Sequence, residues 1–290
     1  MIFYDSMLVD ITDHDRMDVV SSYGYAWGYI GSCVPFVISL VFVLMYEKIG
    51  ITIGMAMMLA FFLNAAWWFL VTIPLLKKYK QVNYAQMPTH PVRDSFRRLI
   101  NTLKDIKAEK NIFLYLLSFF FFIDGVYTII EMATAYGSAL GLDSTGLLLA
   151  LLVTQIVAFP CALIFARCSK KYETDLLIKI CIAAYTGIAL FAIQLDKQWE
   201  FWLLAVLVGM FQGAIQALSR SYFAKIIPAE KAGEYFGIYD ICGKGASFLG
   251  TTLVGVIAQL TNVANAGVAM ITVLFVIGFV LFCKAAKLNK

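Results

Sequence analysis

Charge is scarce in this chain, and histidine is almost missing. Charged residues make up 14% of the 290 positions, 61% are hydrophobic, and the mean hydropathy is +0.80. A single soluble core cannot bury that much apolar surface, so the composition excludes a soluble globular protein and indicates one that lies in a lipid bilayer. The two histidines, His14 and His90, are far apart in sequence. We therefore predict no metal cluster and expect no cofactor.

Paired cysteines are also lacking. The six cysteines lie singly and form no Cys-x-x-Cys motif, which predicts buried thiols. An intramembrane enzyme would need a nucleophile–base pair, a metal-ligand set or a paired-aspartate motif, and none is present in the sequence. We therefore expect no enzymatic activity. Met1–Ser21 is polar and acidic, so a cleavable signal peptide is not predicted.

Long apolar runs are the dominant feature. Eight of them contain roughly the 20 residues that a helix needs to cross a hydrocarbon layer about 30 Å thick. The alternating two-residue pattern of a membrane barrel is missing. We predict an all-α membrane protein with eight transmembrane helices. The predicted spans are Tyr25–Tyr46, Ile51–Leu76, Ile112–Tyr136, Ser144–Ala166, Leu176–Leu195, Phe201–Tyr222, Ile238–Leu260 and Ala266–Cys283.

The basic residues predict the orientation, because cytoplasmic loops are enriched in Lys and Arg. The linker Lys77–Lys110 is strongly basic, and the loops on the same side add further Lys and Arg, whereas the opposite side has only Lys48 and Lys197. Eight crossings put both termini on the basic side, so we predict that both are cytoplasmic. The net charge of +4 is then a topology signal, and no nucleic-acid partner is expected.

The linker also has a pattern of its own. Five apolar residues follow helical spacing, and the basic residues lie largely off that stripe. This arrangement predicts an amphipathic helix along the membrane surface, in contact with membrane lipids. The apolar residues are Phe96, Leu99, Ile100, Leu103 and Ile106.

A weak internal repeat accounts for the division into two spans before the linker and six after it. The block that begins at Tyr4 parallels the block that begins at Ser221, and each passes through a charged turn into a glycine-rich span. Parallel repeats of this kind build the two halves of many carriers. We expect a partial N-terminal lobe (1–76), a basic linker (77–110) and a six-helix C-terminal lobe (111–290). Four further helices are expected ahead of Met1.

Several strings of the chain resemble a known family. They are Phe122–Ile129 (FIDGVYTI), Gln155–Pro160 (QIVAFP), Gln216–Ser221 (QALSRS) and Glu234–Asp240 (EYFGIYD). They are similar to the major facilitator superfamily, and within it to the autophagy-related vacuolar effluxers and their bacterial relatives. The resemblance implies a two-lobe, twelve-helix carrier that moves a small solute by alternating access, here in a bacterial inner membrane. Fungal members are associated with amino-acid export, so amino acids or peptide-like compounds are the implied solutes.

Asp124 is the first candidate for the solute or ion pathway. It lies about twelve residues into the third span, close to mid-bilayer, with Thr128 and Glu131 on the same helical face. Ionisable groups inside a span are costly and usually face a bundle interior or a water-filled path. Asp124 could couple transport to protons, and Glu131 could contact the solute. A structural Asp hydrogen-bonded to a neighbouring helix is the alternative.

Glutamines and small residues divide the sixth span into two faces. Ala205, Gly209, Gly213 and Ala217 recur every four residues, a stripe that lets another helix approach closely. About 100° away, Gln212 and Gln216 continue to Arg220, and Gln155 of the fourth span is a natural companion. These glutamines are pathway candidates. Ordinary hydrogen bonds between helices are the alternative.

Arg220, Asp240 and Lys244 are candidates for a cytoplasmic gate. They bracket the loop between the sixth and seventh spans, where an ion pair could hold the helix ends together and break as the carrier opens. Anchoring at the lipid headgroups is the alternative. At the level of the whole chain, the rival to a transporter is a truncated, non-transporting remnant or a structural membrane protein.

Overall fold

The computed structural model describes residues 2–83, 91–261 and 264–289, and every regular element in these ranges is helical. Eight of the described helices are long and apolar enough to cross a membrane. The prediction of an all-α chain with eight spans is therefore confirmed. The helices are α1 (Ile2–Ser6), α2 (Leu8–Ile11), α3 (Met17–Leu44), α4 (Tyr46–Ile49), α5 (Ile53–Lys78), α6 (Pro91–Ala108), α7 (Lys110–Ala139), α8 (Ser144–Cys168), α9 (Thr174–Ala192), α10 (Gln198–Ile226), α11 (Ala232–Thr261) and α12 (Ala264–Leu288), with 3₁₀ turns at His14–Arg16 and Ala229–Lys231.

Local signals in the sequence set several helix ends. The Thr52 hydroxyl accepts a hydrogen bond from the Met55 amide at 3.3 Å, and the Asp143 carboxylate accepts one from the Gly146 amide at 2.6 Å, so both side chains cap the start of a helix. Gly141 follows the end of α7 with a φ of +76°, which favours glycine. The first span begins eight residues earlier than predicted, at Met17, because polar residues of its first turns are buried against α10.

The small-residue stripe of α10 packs as predicted. A Cβ at Gly209 would come within 2.7 Å of the Thr154 carbonyl oxygen of α8, and Gly213 faces the Tyr29 ring of α3 at 2.9 Å. Ser21 of α3 donates a hydrogen bond to the Ala217 carbonyl at 2.7 Å. The stripe therefore lets both α8 and α3 approach the α10 backbone, and that prediction is confirmed. Through this contact α3, with α5 on its other side, packs against the bundle formed by α7–α12.

The internal repeat has a sharper register than the residue letters suggest. Helices α2 and α10 each end three residues before a 3₁₀ turn of three residues, which leads directly into α3 or α11. The end of α10, both ends of the second turn and the start of α11 each lie 215 residues after their counterparts in the first block. The letter match put Tyr4 opposite Ser221, which is two positions out of this register. In the structural register Asp5 and Arg220 are equivalent positions.

Residues Pro91–Ala108 form helix α6, and the predicted apolar stripe of this helix is partly buried and partly exposed. Ile106 is buried and Leu99 packs against the core, whereas Phe96, Ile100 and Leu103 are exposed. The Thr102 hydroxyl donates to the Glu234 carboxylate at 2.6 Å. Lys231 and Asp105 form an ion pair at 2.9 Å, so α6 is fastened to the start of α11. We call the end of the bundle that carries α1, α6 and the two 3₁₀ turns the basic end.

The cysteines of this chain form neither disulfides nor a metal site within the described residues. Cys33 and Cys181 are buried, the other four cysteines are half-buried, and all six are free thiols. Within the described residues no three side chains of His, Cys, Asp or Glu are grouped as a metal site would require. His90 lies outside the described residues.

Candidate functional site

A cavity of about 600 Å³ lies between α3, α7, α10 and α11, with α1 at one end. This volume is within the range of small-molecule sites. Six helices, α1, α3, α7, α8, α10 and α11, supply polar side chains to its wall. Six of the nine candidates from the sequence meet there, namely Glu131, Gln155, Gln212, Gln216, Asp240 and Lys244.

Aromatic rings form much of the remaining wall. The Tyr239 ring stacks on Phe119 with 4.0 Å between centroids, and Tyr25 and Tyr29 lie on the α3 side. Tyr127 of α7 lies beside Gly243 of α11, with its ring 3.5 Å from the position of a Cβ there, which is ordinary van der Waals contact. The cavity therefore combines π-faces with charged and amide groups, a surface suited to an amphipathic or charged solute.

Arg220 lies beneath the cavity, near the basic end, and holds α1 and α3 to α10. Its Nη1 donates to the Asp5 carboxylate at 3.2 Å, Nε donates to Ser21 Oγ at 3.0 Å, and Nη2 donates to the Ser21 carbonyl at 3.3 Å. The rings of Tyr4 and Tyr25 each lie 5.0 Å from the guanidinium carbon. With only 3% of Arg220 exposed, this is a buried ion pair in which most donors are satisfied.

Gly24 makes this arrangement possible. A Cβ there would come within 2.8 Å of the Tyr4 hydroxyl and 3.4 Å of an Arg220 nitrogen. A side chain at this position would therefore displace the aromatic residue that covers the guanidinium.

The partner of Asp240 differs from the one that the sequence suggested. Asp240 accepts a hydrogen bond from Lys244, one turn later in α11, at 2.6 Å. Arg220 has Asp5 as its partner instead. Of the three gate candidates, Arg220 is the one whose ion pair joins different helices, because α1 brings a carboxylate from the start of the chain to the guanidinium.

A second polar contact joins α3 to α9 and α10 at the basic end. Asp18 accepts hydrogen bonds from Ser221, Thr174 and Lys225, each at 2.6 Å. Lys225 also donates to the Thr174 hydroxyl at 3.1 Å. Asp18 is only 5% exposed, so its charge is met by one cation and two hydroxyl groups.

Asp124 and Thr128 lie outside the cavity wall. The neighbouring residues Ile123 and Tyr127 line the cavity, and Asp124 faces Gly250 of α11, where a Cβ would collide with its carboxylate and with the Thr128 hydroxyl. Thr128 donates to Asp124 at 3.3 Å. Among the described residues Asp124 forms no ion pair. The structure thus brings the pair together at the contact between α7 and α11.

A smaller, mostly apolar pocket of about 160 Å³ adjoins the cavity. Gln155 and Gln212 line both spaces. Gln212 is hydrogen-bonded to Tyr29, so it links α10 to α3. The side-chain oxygen of Gln155 is buried, and no described group donates to it.

Asp10 makes a further contact at the basic end, outside the spans. Its carboxylate accepts hydrogen bonds from the Tyr79 hydroxyl at 2.5 Å and from the Asn83 amide groups at 2.8 Å. Partial burial works against the charged form, but these bonds outweigh it and hold the pKa of Asp10 below its usual value. Desolvation and the same carboxylate raise the pKa of Tyr79 to about 12. Together they tie α2 to the end of α5.

The residues that the sequence missed are Asp5, Asp18 and the cavity tyrosines. The two aspartates lie in the acidic segment Met1–Ser21, whose composition resembles that of a loop. The structural register of the repeat places Asp5 at the position equivalent to Arg220. The tyrosines give no separate signal, since aromatic residues are common in apolar spans. Aligning the two blocks of the repeat on their 3₁₀ turns identifies Asp5 as the counterpart of Arg220.

The fold and cavity define an integral, multi-pass, all-helical membrane protein with a polar chamber between its helices. Residues 7–288 match the family model described as "Vacuole effluxer Atg22 like", and the chain belongs to that family. The resemblance noted in the sequence is therefore confirmed.

Relatives of known name agree with this assignment. The chain is similar to the "Uncharacterized MFS-type transporter YxiO" of Bacillus subtilis, at 45% identity over 282 residues, which cover 97% of this chain and 66% of the relative. It is 25% identical to "Autophagy-related protein 22-1" of Penicillium rubens, over 83% of this chain and 44% of the relative. It is also 25% identical to "Autophagy-related protein 22" of Cryptococcus neoformans, over 77% of this chain and 45% of the relative. The chain thus spans less than two thirds of the first of these relatives and less than half of the fungal ones.

Proposed function

We propose that this chain forms part of a secondary active transporter of the major facilitator type, which moves a small solute by alternating access. The observation that carries the proposal is the cavity of about 600 Å³, into which transmembrane helices direct ionisable and amide side chains. Such groups are costly inside a membrane and mark solute or ion pathways. The bacterial relative is named as an MFS-type transporter, which supports the same activity.

Alternating access needs contacts that hold one end of the pathway closed and then break. The Arg220–Asp5 pair and the Asp18 contact both join α1 or α3 to α10 at the basic end. We expect these contacts to form the cytoplasmic gate, with residues 1–76 as a partial N-terminal lobe that rocks against the C-terminal lobe of residues 111–290. Residues 77–110 would act as the linker on the cytoplasmic side. Lys244 and Asp240 would then line the path above the gate.

The solute and the coupling ion form the finer part of the proposal. Fungal relatives carry the name autophagy-related protein 22, and the family description is that of a vacuole effluxer, so we expect an amino acid or a peptide-like solute. Gln155, Gln212, Gln216 and Glu131 are the contact candidates. Asp124 is the candidate for proton coupling, acting through the contact between α7 and α11. The membrane would be the bacterial inner membrane.

Uptake into proteoliposomes tests the proposal. The chain would be reconstituted alone and also joined to the part of the Bacillus relative that the match leaves uncovered, because that relative is the longer protein. We expect the joined protein to accumulate labelled amino acids when a proton gradient is applied, and the chain alone to show no accumulation. Lack of any solute movement by the well-folded joined protein, across a panel of amino acids and dipeptides, would contradict the proposal.

The rival is a non-transporting remnant or a structural membrane protein. If the chain is such a protein, the cavity has no role in transport, and Gln212→Leu would change stability without changing solute uptake. A transporter predicts that the same change weakens solute uptake while the melting temperature stays within a few degrees. The uptake assay with this variant therefore separates the two functions.

A further inference from the structure

The charges that face the cavity do not balance. Three carboxylates belong to its wall, those of Asp5, Glu131 and Asp240. Arg220 lies 3.2 Å from Asp5, and Lys244 lies 2.6 Å from Asp240, so two of the three are paired. Glu131 forms no ion pair among the described residues. The Ser247 hydroxyl donates a hydrogen bond to the Glu131 carboxylate at 2.7 Å.

The surroundings of Glu131 are rich in π-faces. Tyr127 lies one turn before Glu131 on α7, and both side chains line the cavity. Tyr29 of α3 lines the same cavity. A cation is attracted to the face of a tyrosine ring, and the attraction grows when water is excluded. An anion would instead meet the unpaired carboxylate.

A hydrogen-bond acceptor is also left unused at this cavity. The side-chain oxygen of Gln155 is buried and has no donor among the described groups. Buried acceptors without a donor are uncommon, because leaving one unpaired is costly. Because this oxygen is itself buried, the Gln155 amide must rotate towards the cavity before the N–H group of a ligand can satisfy it, whereas a quaternary or purely apolar ligand would leave it unpaired.

We propose that this cavity binds the ammonium group of an organic amine, held between the Glu131 carboxylate and the rings of Tyr127 and Tyr29, with Gln155 as an additional acceptor. The proposal rests on the proposed transport function and deepens it by naming the chemical class of the solute. Ser247 would hold Glu131 towards the cavity. The Asp240–Lys244 and Asp5–Arg220 pairs would stay internally neutral and would not compete for the amine.

Calorimetric titration of the purified chain in lipid nanodiscs tests this without any need for transport. The probes are butylammonium, 1-pentanol and pentanoate, which are unbranched, similar in length and different in charge, at constant ionic strength and pH 7. We expect saturable binding of butylammonium and no saturable binding of the other two. Glu131→Gln should weaken butylammonium binding at least about tenfold, since one neutralising charge is lost. Glu131→Asp should retain part of it, and Glu230→Gln, an exposed glutamate in the second 3₁₀ turn, should leave it unchanged.

Three results would overturn the proposal. One is equal binding of butylammonium and 1-pentanol, and another is unchanged binding in a folded Glu131→Gln variant. The third is displacement of butylammonium by Na⁺ at matching concentrations, which would assign the site to an inorganic cation. If the chain binds butylammonium but the joined protein moves no solute, the amine site is supported and only the proposed transport function is contradicted.

Discussion

Buried polar side chains in this protein differ in how fully their charges are met. Arg220 and Asp18 each have an oppositely charged partner and further hydrogen bonds. Asp124, at 1% exposure, has no ion pair among the described residues and is held by hydrogen bonds from the Thr128 hydroxyl and the Gly250 backbone. A carboxyl in that setting is well placed to gain and lose a proton as the helices around it move, because a lone buried charge is costly.

Replacing Asp124 by asparagine tests this role in the joined protein. Asp124→Asn keeps the size of the side chain and removes the titratable group, so gradient-driven accumulation should be lost while solute exchange continues. Uptake and exchange would be measured over a range of pH values, with the melting temperature as the control for folding. Normal pH-dependent accumulation by a well-folded variant would exclude Asp124 as the coupling site. A parallel loss of both activities and of stability would assign it a structural role.

Gly250 is the residue on which the position of Asp124 depends. A methyl group there would collide with the Asp124 carboxylate, so Gly250→Ala should destabilise the protein by about 1–3 kcal/mol. Gly245 of the same helix has open space around its Cβ position. Gly245→Ala should therefore be neutral or stabilising by up to about 1 kcal/mol, through helix propensity. Thermal unfolding of both variants in one detergent decides the matter, and equal effects would show that the close contact has no weight.

At the scale of helices, the proposed gate depends on a buried ion pair that joins α1 to α10. Asp5→Asn leaves the Arg220 guanidinium buried without an anion, which should cost about 3–5 kcal/mol. Adding Arg220→Gln should restore part of that loss. A double-mutant cycle on unfolding in detergent measures the coupling between the two residues.

The pair Asp105–Lys231 is the matched control for this cycle. Its side chains are 44% and 49% exposed, so its coupling should stay below about 1 kcal/mol. Equal coupling energies for the two pairs would contradict the view that burial makes the first pair a gate element.

The contact between α2 and the end of α5 should depend on pH. Because the pKa of Asp10 is held below its usual value, the charged carboxylate stabilises the folded state at neutral pH, and this contribution is lost as the pH falls below about 4. Asp10→Asn should cost about 1 kcal/mol at pH 7, a modest figure because the group is partly exposed, and progressively less as the pH falls from about 4 through the lowered pKa. Hydrogen exchange of the segment 79–83 reports the change. Asp13→Asn, on an exposed aspartate, should have no such pH dependence.

The helices themselves could be predicted closely, and their faces less well. Long apolar runs gave all eight spans, since length and hydropathy are properties of the sequence alone. The predicted start of α3 was wrong because Asp18 and Ser21 are polar residues of a kind common in loops. Their burial becomes favourable through hydrogen bonds to α10. In α6 the spacing of Leu99 and Ile100 predicted one apolar stripe, but tertiary packing covers one of these residues and leaves the other exposed.

For the whole molecule, the candidate site could be predicted in part. Polar residues inside spans are rare enough to be noticed, so six of the nine candidates do line one cavity. Which side chains pair across helices depends on helix rotation and on the path of α1, neither of which the residue pattern specifies. Asp124 shows this limit. The face of α7 that lines the cavity includes Ile123 and Tyr127, and Asp124, one position after Ile123, points away from it towards Gly250.

The orientation of the whole bundle gives the last prediction. The basic residues gather at one end, and this end should face the cytoplasm, because Lys and Arg are retained there during insertion. In a variant whose six cysteines are replaced, Lys104→Cys on α6 should resist a membrane-impermeant maleimide in intact cells and react after the cells are opened. Lys197→Cys, which precedes α10 at the opposite end, should react in intact cells. Labelling of Lys104→Cys from outside, with Lys197→Cys protected, would invert the topology and would put the Arg220–Asp5 gate on the outer side.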